Sequence, residues 1–239
     1  MIRDDDKWVR DLFESAASDW TSPAFANRVL YVPVSLDLEM IKRCASILSD
    51  VELQRAAGFI TDEGRAQFIQ RRAFRRYCGA LASGSRRPLS QIVFEETENG
   101  RPWLRDHPDL WFSFSSCRLG LIGAWSTTHG LGVDLEDQTT VVEAVELAQM
   151  YFTRSEARAV EKEGSARAQM FLQLWSLKEA ALKSIGEGLP FGLDAFEFEL
   201  DGGLRVVDAP GDHGGAGSFS AYLFDRPDVN AALVARRLH

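Results

Sequence analysis

Two acidic motifs in the second half of the chain constrain its fold more than any other feature. The first, Gly-Val-Asp-Leu-Glu, places Asp134 and Glu136 two residues apart, so on a strand both side chains point to one face. The second, Trp-Ser-Leu-Lys-Glu-Ala-Ala-Leu-Lys, places Glu179 and Lys183 four residues apart, so on a helix they share a face. A strand and a helix that pack together would therefore gather three carboxylates and a lysine around one point.

Such a group of carboxylates requires a cation, and a hard divalent ion with oxygen ligands suits it. Mg²⁺ bound in this way usually also holds phosphate, so the two motifs together predict phosphoryl chemistry. Taken singly, each motif has a simpler interpretation. Asp134 and Glu136 could end a strand that runs into solvent, and Glu179 and Lys183 could form a surface ion pair that contributes roughly 0.2–0.5 kcal/mol.

The composition narrows the class of protein. The chain has 239 residues, 45% of them hydrophobic, and a formal net charge of -8, which is ordinary for a globular protein and argues against general nucleic-acid binding. No apolar run approaches the ~20 residues of a membrane span, and the acidic start predicts no signal peptide. Cys44, Cys78 and Cys117 are too widely spaced for a disulfide framework or a zinc site, so we expect a cytoplasmic protein.

The order of the predicted elements indicates an α+β fold. Residues 62–82 have apolar side chains at helical spacing, residues 131–135 are typical of a strand, and residues 166–185 are typical of a second long helix. Each half therefore contains a few helices followed by antiparallel strands. We expect two pseudo-symmetric α/β subdomains, each with helices packed on a mainly antiparallel sheet, covering residues 1–126 and 127–239.

The helix predicted over residues 62–82 carries several arginines outside its apolar stripe. In an acidic chain, a solvated helix face explains most of them better than a nucleic-acid surface does. These residues are Arg65, Arg71, Arg72, Arg75 and Arg76.

The combination of the two acidic motifs resembles the hallmarks of the 4′-phosphopantetheinyl transferase superfamily. These are a Gly-x-Asp-x-Glu strand and a Trp-x-x-Lys-Glu-x-x-x-Lys helix, about forty residues apart, and this chain has both in full. The resemblance extends from about residue 30 to residue 225. Its further segments are residues 99–102, 112–117, 151–156 and 186–189. The length resembles the two-domain type that activates surfactin synthetase, rather than the short trimeric holo-acyl-carrier-protein synthase.

The resemblance implies an enzyme that transfers the phosphopantetheine arm of coenzyme A to a serine of an apo acyl or peptidyl carrier protein and releases 3′,5′-ADP. Asp134, Glu136 and Glu179 would bind Mg²⁺ with the pyrophosphate, and Lys183 and Lys178 would bind phosphate oxygens. Glu179 and Lys183 are the candidate catalytic residues, Glu179 as base, metal ligand or both. The family pattern also implies a monomer that holds coenzyme A between its halves.

The first half would supply further contacts to coenzyme A, and one of them departs from the family. The implied contacts are Arg55, Gly100, Arg101, Ser115 and Ser116. Ser116 stands where the family usually has a histidine against the 3′-phosphate. Because a hydroxyl carries no charge, we expect the anionic contact to fall on Arg55, Arg101 and another arginine of residues 71–76.

Two other functions share parts of this pattern. A Mg²⁺-dependent hydrolase of a nucleotide diphosphate would use the same acids but would need no carrier protein. A diverged, non-catalytic module would bind carrier proteins or coenzyme A without turnover. The complete set of hallmark acids argues against that module, whereas Ser116 leaves it open.

Overall fold

A computed structural model describes residues 29–138 and 143–238 of the chain. Residues 1–28, which the prediction assigns to the first subdomain, lie outside the described residues. The described part of the first half begins with a strand and ends with a β-hairpin. In chain order its elements are β1 (Val29–Pro33), α1 (Leu38–Ala45), α2 (Asp50–Ala57), α3 (Asp62–Ser83), β2 (Phe94–Glu96), β3 (Pro102–Leu104), β4 (Trp111–Ser116) and β5 (Gly120–Ser126).

The first half is built around one antiparallel sheet and the long helix α3. The sheet has the strand order β1-β5-β4, and β2 and β3 form a separate hairpin. Helix α3 begins after Thr61, whose hydroxyl accepts the N–H of Gly64, and ends at Gly84, which has the left-handed φ of 62° that glycine tolerates best. Its predicted apolar stripe is buried. The stripe consists of Ala66, Ile69, Ala73, Tyr77 and Ala80.

The second half has the same plan. In chain order its described elements are β6 (His129–Asp137), α4 (Ala144–Tyr151), α5 (Arg154–Lys162), α6 (Arg167–Ile185), β7 (Glu197–Glu199), β8 (Arg205–Asp208), β9 (Phe219–Asp225) and β10 (Val229–Arg237). The main antiparallel sheet has the order β6-β10-β9, and β7 pairs with β8. Among the described helices, none is long and apolar enough to cross a membrane.

The two halves share a strand order, which confirms the predicted α+β fold. In each main sheet the first strand pairs with the last strand, and the last pairs with the one before it. One buried cluster fills each helix–sheet interface, and a third joins the two sheets, with Tyr31 and Ile122 from the first half against Val133 and Leu233 from the second. The division into units of 1–126 and 127–239 remains a prediction.

Two glycines allow β6 to lie unusually close to α6. A Cβ atom on Gly132 would stand 1.7 Å from the carbonyl oxygen of Ala180, and one on Gly130 would stand 2.3 Å from that of Ser184. Only a residue without a side chain fits at such a distance. The glycine of the first acidic motif therefore brings the end of β6 against the helix that carries Glu179.

Side chains, rather than backbone ladders, connect β4 of the first half to β6 of the second. The indole N–H of Trp111 donates to the carbonyl of Leu131 at 2.8 Å, and the hydroxyl of Ser113 accepts the N–H of Val133 at 3.0 Å. At the far end of β6, the carboxylate of Asp137 accepts the N–H groups of residues 118 and 119. These contacts align β4 with the acidic end of β6.

Candidate active site

The acidic group lies where the end of β6 faces α6. Asp134 is 3% exposed, and its Oδ1 accepts hydrogen bonds from the Lys183 ammonium at 2.7 Å and from the Ser115 hydroxyl at 2.9 Å. Lys183 also donates to the carbonyl of Val133 at 3.2 Å. The other carboxylate oxygen of Asp134, Oδ2, is buried and has no hydrogen-bond partner among the described residues. Asp134 therefore keeps one strong acceptor that no described residue uses.

Glu136 and Glu179 lie close enough to Asp134 for their charges to interact. Burial raises the pKa of Glu136 to about 7, with the charge of Asp134 adding to the rise and that of Lys183 opposing it. Burial also raises the pKa of Glu179. The charge of Lys183 opposes this rise, and the charge of Asp134 adds to it. Carboxylates that share a half-buried site favour their protonated forms until a cation joins them. The structure thus brings together four of the five charged side chains of the two motifs, namely Asp134, Glu136, Glu179 and Lys183.

The donor chemistry of this group suits a divalent cation, although no complete cage is present. Across residues 29–138 and 143–238, no three His, Cys, Asp or Glu side chains are arranged to hold a metal ion. Mg²⁺ commonly takes only one or two protein carboxylates and completes its shell with water and phosphate oxygens. The unused Oδ2 of Asp134 and the raised pKa values of Glu136 and Glu179 fit a site of that kind.

A second group of charged residues lines a cavity of about 260 Å³ between α3 and the end of β4, here called the arginine cavity. Its polar lining consists of Arg55, Arg71, Arg72, Arg75, Glu96, Ser115 and Ser116. Phenylalanine rings, including Phe68 and Phe114, form much of the remaining wall. The combination of guanidinium groups and aromatic rings suits an anionic ligand with a flat apolar part.

The arginines of this cavity differ in how far their charges are neutralised. Arg72 lies 3.7 Å from Glu52 of α2, and Arg75 lies 3.3 Å from Glu96. In the part of the chain that the structure describes, Arg71 forms no ion pair, and its Nη1 donates to the Ser116 hydroxyl at 3.4 Å. The pKa of Arg71 is lowered by burial and by the neighbouring arginine charges, as expected for a cation that lacks a counterion.

Ser115 connects the arginine cavity to the acidic group. Its side chain lines the cavity, and its hydroxyl donates to Asp134 and lies 3.4 Å from the Lys183 ammonium. The arginine cavity and the acidic group are therefore neighbours at the end of β4. Ser116 lines the cavity, and Ser115 contacts both the cavity and Asp134 of β6. Arg55, Ser115 and Ser116, three of the predicted contacts to coenzyme A, share this cavity.

Gly100 and Arg101 do not line the arginine cavity, and Arg101 lies beside Gly186 at the C-terminal end of α6. Gly100 has a φ of 80° in the turn between β2 and β3, and the guanidinium carbon of Arg101 lies 4.3 Å from the ring centre of Trp111. The turn is joined to the loop after α6, because the Asn99 amide donates to Glu187 at 2.8 Å. Arg101 thus stands beside the end of the helix that carries Lys183.

Lys178 occupies a different place from the one predicted. Its side chain is fully buried, and its ammonium lies 2.6 Å from Glu156 and donates to the carbonyls of Leu193 at 2.9 Å and Phe196 at 2.5 Å. All three donors of the ammonium are used inside the core. This placement contradicts the predicted phosphate contact of Lys178, whose side chain leaves α6 in another direction from that of Glu179.

Sequence analysis expected one arginine of residues 71–76 to contact the anion, but it did not distinguish Arg71, Arg72 and Arg75 from a solvated helix face. A signal was present nonetheless. No acidic residue stands three or four positions from any of these three arginines, so none has the local helix partner that a solvated ion-paired face usually provides. The buried partnership of Lys178 with Glu156 had no comparable local signal.

Comparison with known proteins gives a consistent result. Residues 130–225 match the family model of the 4′-phosphopantetheinyl transferase superfamily. The chain is 30% identical over 152 residues to 4′-phosphopantetheinyl transferase psf-1 of Bacillus pumilus, a match that covers 63% of each chain. It is 32% identical over 162 residues to the putative 4′-phosphopantetheinyl transferase slr0495 of Synechocystis, covering 66% of this chain and 65% of that protein.

A third relative is 4′-phosphopantetheinyl transferase Sfp of Bacillus subtilis, 30% identical over 126 residues, or 52% of this chain and 55% of Sfp. The matches thus span just under two thirds of the first two relatives and about half of Sfp. The segment that matches the family model contains Asp134, Glu136, Glu179 and Lys183, the side chains that meet between β6 and α6. Residues 130–225 thus match the 4′-phosphopantetheinyl transferase superfamily, which confirms the resemblance predicted from the motifs.

Proposed function

We propose that this protein transfers the 4′-phosphopantetheine group of coenzyme A to a serine of an apo carrier protein, with Mg²⁺ as cofactor and 3′,5′-ADP as the second product. One observation carries the proposal: the arginine cavity and the acidic group are contiguous through Ser115. A ligand with a phosphate at one end and a pyrophosphate further along would meet cations first and metal-binding acids next. Coenzyme A has that distribution of charge.

The arginine cavity is the proposed site of the 3′-phosphate and the adenosine. Arg55 and Arg71 line it without a carboxylate partner among the described residues, so their charges remain for the ligand. Arginine binds phosphate in a bidentate manner, which the Ser116 hydroxyl cannot do. We therefore assign to Arg71 the charge that the family usually supplies from histidine at the position of Ser116. Arg101, beside the end of α6, is assigned to the pyrophosphate end of the ligand.

The acidic group is the proposed reaction centre. Asp134, Glu136 and Glu179 would hold Mg²⁺, which when bound supplies positive charge against the growing charge of the leaving phosphate. Lys183 would contact a phosphate oxygen as a point charge, because its side chain is 29% exposed beside Asp134, unlike the fully buried Lys178. This arrangement favours phosphoryl transfer through positioning and electrostatics.

Glu179 is the proposed base. It accepts the proton of the carrier serine as the serine oxygen forms a bond to the phosphorus of the phosphopantetheine group. The bond from that phosphorus to the bridging oxygen of the pyrophosphate breaks, and 3′,5′-ADP leaves with that oxygen. Because burial raises the pKa of Glu179, its carboxylate is a stronger base than an exposed glutamate.

The carrier protein is proposed to dock on residues 152–192, next to the reaction centre. Exposed apolar side chains at the edges of this region support the proposal. These are Met150, Tyr151, Leu189 and Phe191. Because both charged groups come from one chain, we propose that the protein acts as a monomer, and its free cysteines fit the cytoplasm.

Mass spectrometry of a carrier protein tests the proposal. The protein is incubated with coenzyme A, Mg²⁺ and an apo carrier protein, and parallel samples omit the carrier or contain a metal chelator. We expect the carrier to gain one phosphopantetheine group only in the complete mixture. Consumption of coenzyme A without a carrier would instead indicate a nucleotide-diphosphate hydrolase. Binding of coenzyme A without any product would indicate a non-catalytic module.

A further inference from the structure

The buried contact between Lys178 and Glu156 joins four parts of the second half. Glu156 Oε2 accepts from Lys178 and from the N–H of Thr153 at 2.9 Å, and its Oε1 accepts the N–H of Phe198 at 2.9 Å. Lys178 in turn donates to the carbonyls of Leu193 and Phe196. Through these bonds the start of α5, the middle of α6, the segment 193–196 and strand β7 share one buried polar centre.

Helix α6 is thus held from two directions. On one side, Ala180 and Ser184 lie against the glycines of β6, at a distance that admits no side chain. In another direction, Lys178 is bonded to the segment that follows the helix. Glu179 stands between Lys178 and Ala180 in sequence. Its direction is therefore set by the rotation of α6 about its own axis, which these two attachments define.

A small rotation of α6 would have a large effect at Glu179. A helical side chain of this size ends about 5–6 Å from the helix axis, so a rotation of ~10° moves its carboxylate by about 1 Å. Misplacement of a reacting group by 1 Å can cost on the order of 100-fold in rate. An attachment that limits this rotation therefore acts on the reaction without touching the ligand.

We propose that Lys178 is a positioning residue, which fixes the rotation of α6 through its bonds to Leu193 and Phe196 and so directs Glu179 toward Asp134. Glu156 supports it by neutralising its buried charge. The proposal rests on the proposed transferase activity, because its effect is on the rate of that reaction. It replaces the phosphate contact expected for Lys178 with a role inside the core.

Two variants separate positioning from simple stability. In Glu156→Gln the ion pair is lost but Lys178 keeps its bonds to the two carbonyls. In the double variant Lys178→Met/Glu156→Gln the ion pair is lost and the attachment is lost as well, while no uncompensated charge remains buried. Breaking one partner of a buried pair is strongly destabilising, whereas removing both partners is often nearly neutral. The double variant should therefore be at least as stable as Glu156→Gln.

The rates of transfer are measured at least 20 °C below the Tm of each variant, a margin of about 20 °C being ample for a cooperative unfolding transition. We expect kcat of Glu156→Gln to stay within about 3-fold of wild type. For the double variant we expect kcat to fall by ~10- to 100-fold, with KM for coenzyme A nearly unchanged. Lys42→Met, an exposed lysine on α1 outside every proposed site, is the matched control. Equal kcat in Glu156→Gln and the double variant would overturn the proposal.

Further measurements keep the two proposals distinguishable. If the double variant does not fold, Lys178→Gln in the Glu156→Gln background replaces it, since glutamine is neutral and retains a donor for only part of the attachment. If wild type transfers nothing, the proposed activity fails, and amide hydrogen exchange of α6 and residues 193–198 decides the attachment instead. Lost protection in the double variant, but not in Glu156→Gln, supports it. Equal protection in both contradicts it.

Discussion

Helices α3 and α6 occupy corresponding places in the two halves but present opposite chemistry. Each packs on a three-stranded antiparallel sheet of the same strand order, with a buried apolar stripe toward that sheet. Helix α3 directs arginines into a cavity, whereas α6 presents Glu179 and Lys183 to the acids of β6. A common architecture therefore supports an anion site in one half and a group of acids in the other.

The difference shows how side-chain length determines what the backbone must do. Arginine side chains are long, so Arg71 and Arg75 of α3 reach one cavity without any close backbone approach. Aspartate and glutamate are short, so their carboxylates meet only if strand and helix nearly touch. Gly132 makes that approach possible, because a Cβ atom there would lie 1.7 Å from the carbonyl of Ala180.

The largest expected effect concerns the acids of the second half. If transfer did not need them, the contrast between α3 and α6 would have no functional meaning. We expect Asp134→Ala and Glu179→Gln each to lower the rate of phosphopantetheine transfer by at least ~1,000-fold, because each removes a group that acts on the reacting phosphate. Circular dichroism should show that both variants are folded at the assay temperature. Glu63→Gln, an exposed glutamate in the first turn of α3, is the control and should retain full activity. Near-normal transfer by either variant would contradict the assigned reaction centre.

The next largest effect should come from the close contact of β6 with α6. In Gly132→Ala the new methyl group overlaps the carbonyl of Ala180, so we expect a loss of stability of ~3 kcal/mol, equivalent to roughly 6–12 °C in Tm, together with loss of transfer. Thermal unfolding measures the first and the carrier assay the second. Gly211→Ala serves as the control, since nothing lies within 4 Å of the added atom. If Gly132→Ala and Gly211→Ala have the same Tm and the same rate of transfer, the close contact of β6 with α6 is needed neither for stability nor for the reaction.

The arginine cavity should show a smaller effect that is confined to binding. We expect Arg71→Ala to weaken coenzyme A binding by about 10-fold, or about 1.4 kcal/mol, with little change in kcat at saturation. Isothermal calorimetry measures the affinity, and the exposed Arg43→Ala is the control.

Ser116→His tests in a second way whether Arg71 and Ser116 face the 3′-phosphate of coenzyme A. In wild type it should preserve or tighten coenzyme A binding, and in the Arg71→Ala background it should recover part of the lost affinity, because an imidazole beside phosphate can carry a charge. A large loss of affinity in Ser116→His would show that Ser116 does not face the phosphate.

The smallest effect should be the pH dependence of the metal-free protein. Because the pKa of Glu136 is raised to about 7 from 4.5, the folded state binds more protons than the unfolded state between these values, and stability falls as pH rises through them. We expect Glu136→Gln to raise Tm at pH 8 by roughly 2–4 °C, or about 1 kcal/mol after solvent screening, and to change Tm little at pH 5. Thermal scans with a chelator measure both. An unchanged Tm at pH 8 would contradict the raised pKa of Glu136.

Periodicity accounts for what sequence analysis predicted correctly. The apolar stripe of α3 and the spacings of the two acidic motifs depend on 3.6 residues per helical turn and two per strand repeat, which are local properties. They sufficed to predict the α+β fold and to name the residues that gather near Asp134. Adjacency misled the analysis at Lys178, because a neighbour of Glu179 on a helix points about 100° away from it.

The sequence alone therefore determined the elements, the faces on which their side chains lie, and the motifs of the superfamily. The tertiary structure decided which charges meet: Lys183 and Asp134 are 49 residues apart, and Arg71 and Ser116 are 45 apart. It also decided that Lys178 is enclosed with Glu156 instead of facing a phosphate. Local geometry specifies the face of a strand or helix on which a side chain lies. What that face meets depends on packing between distant segments, which no local spacing contains.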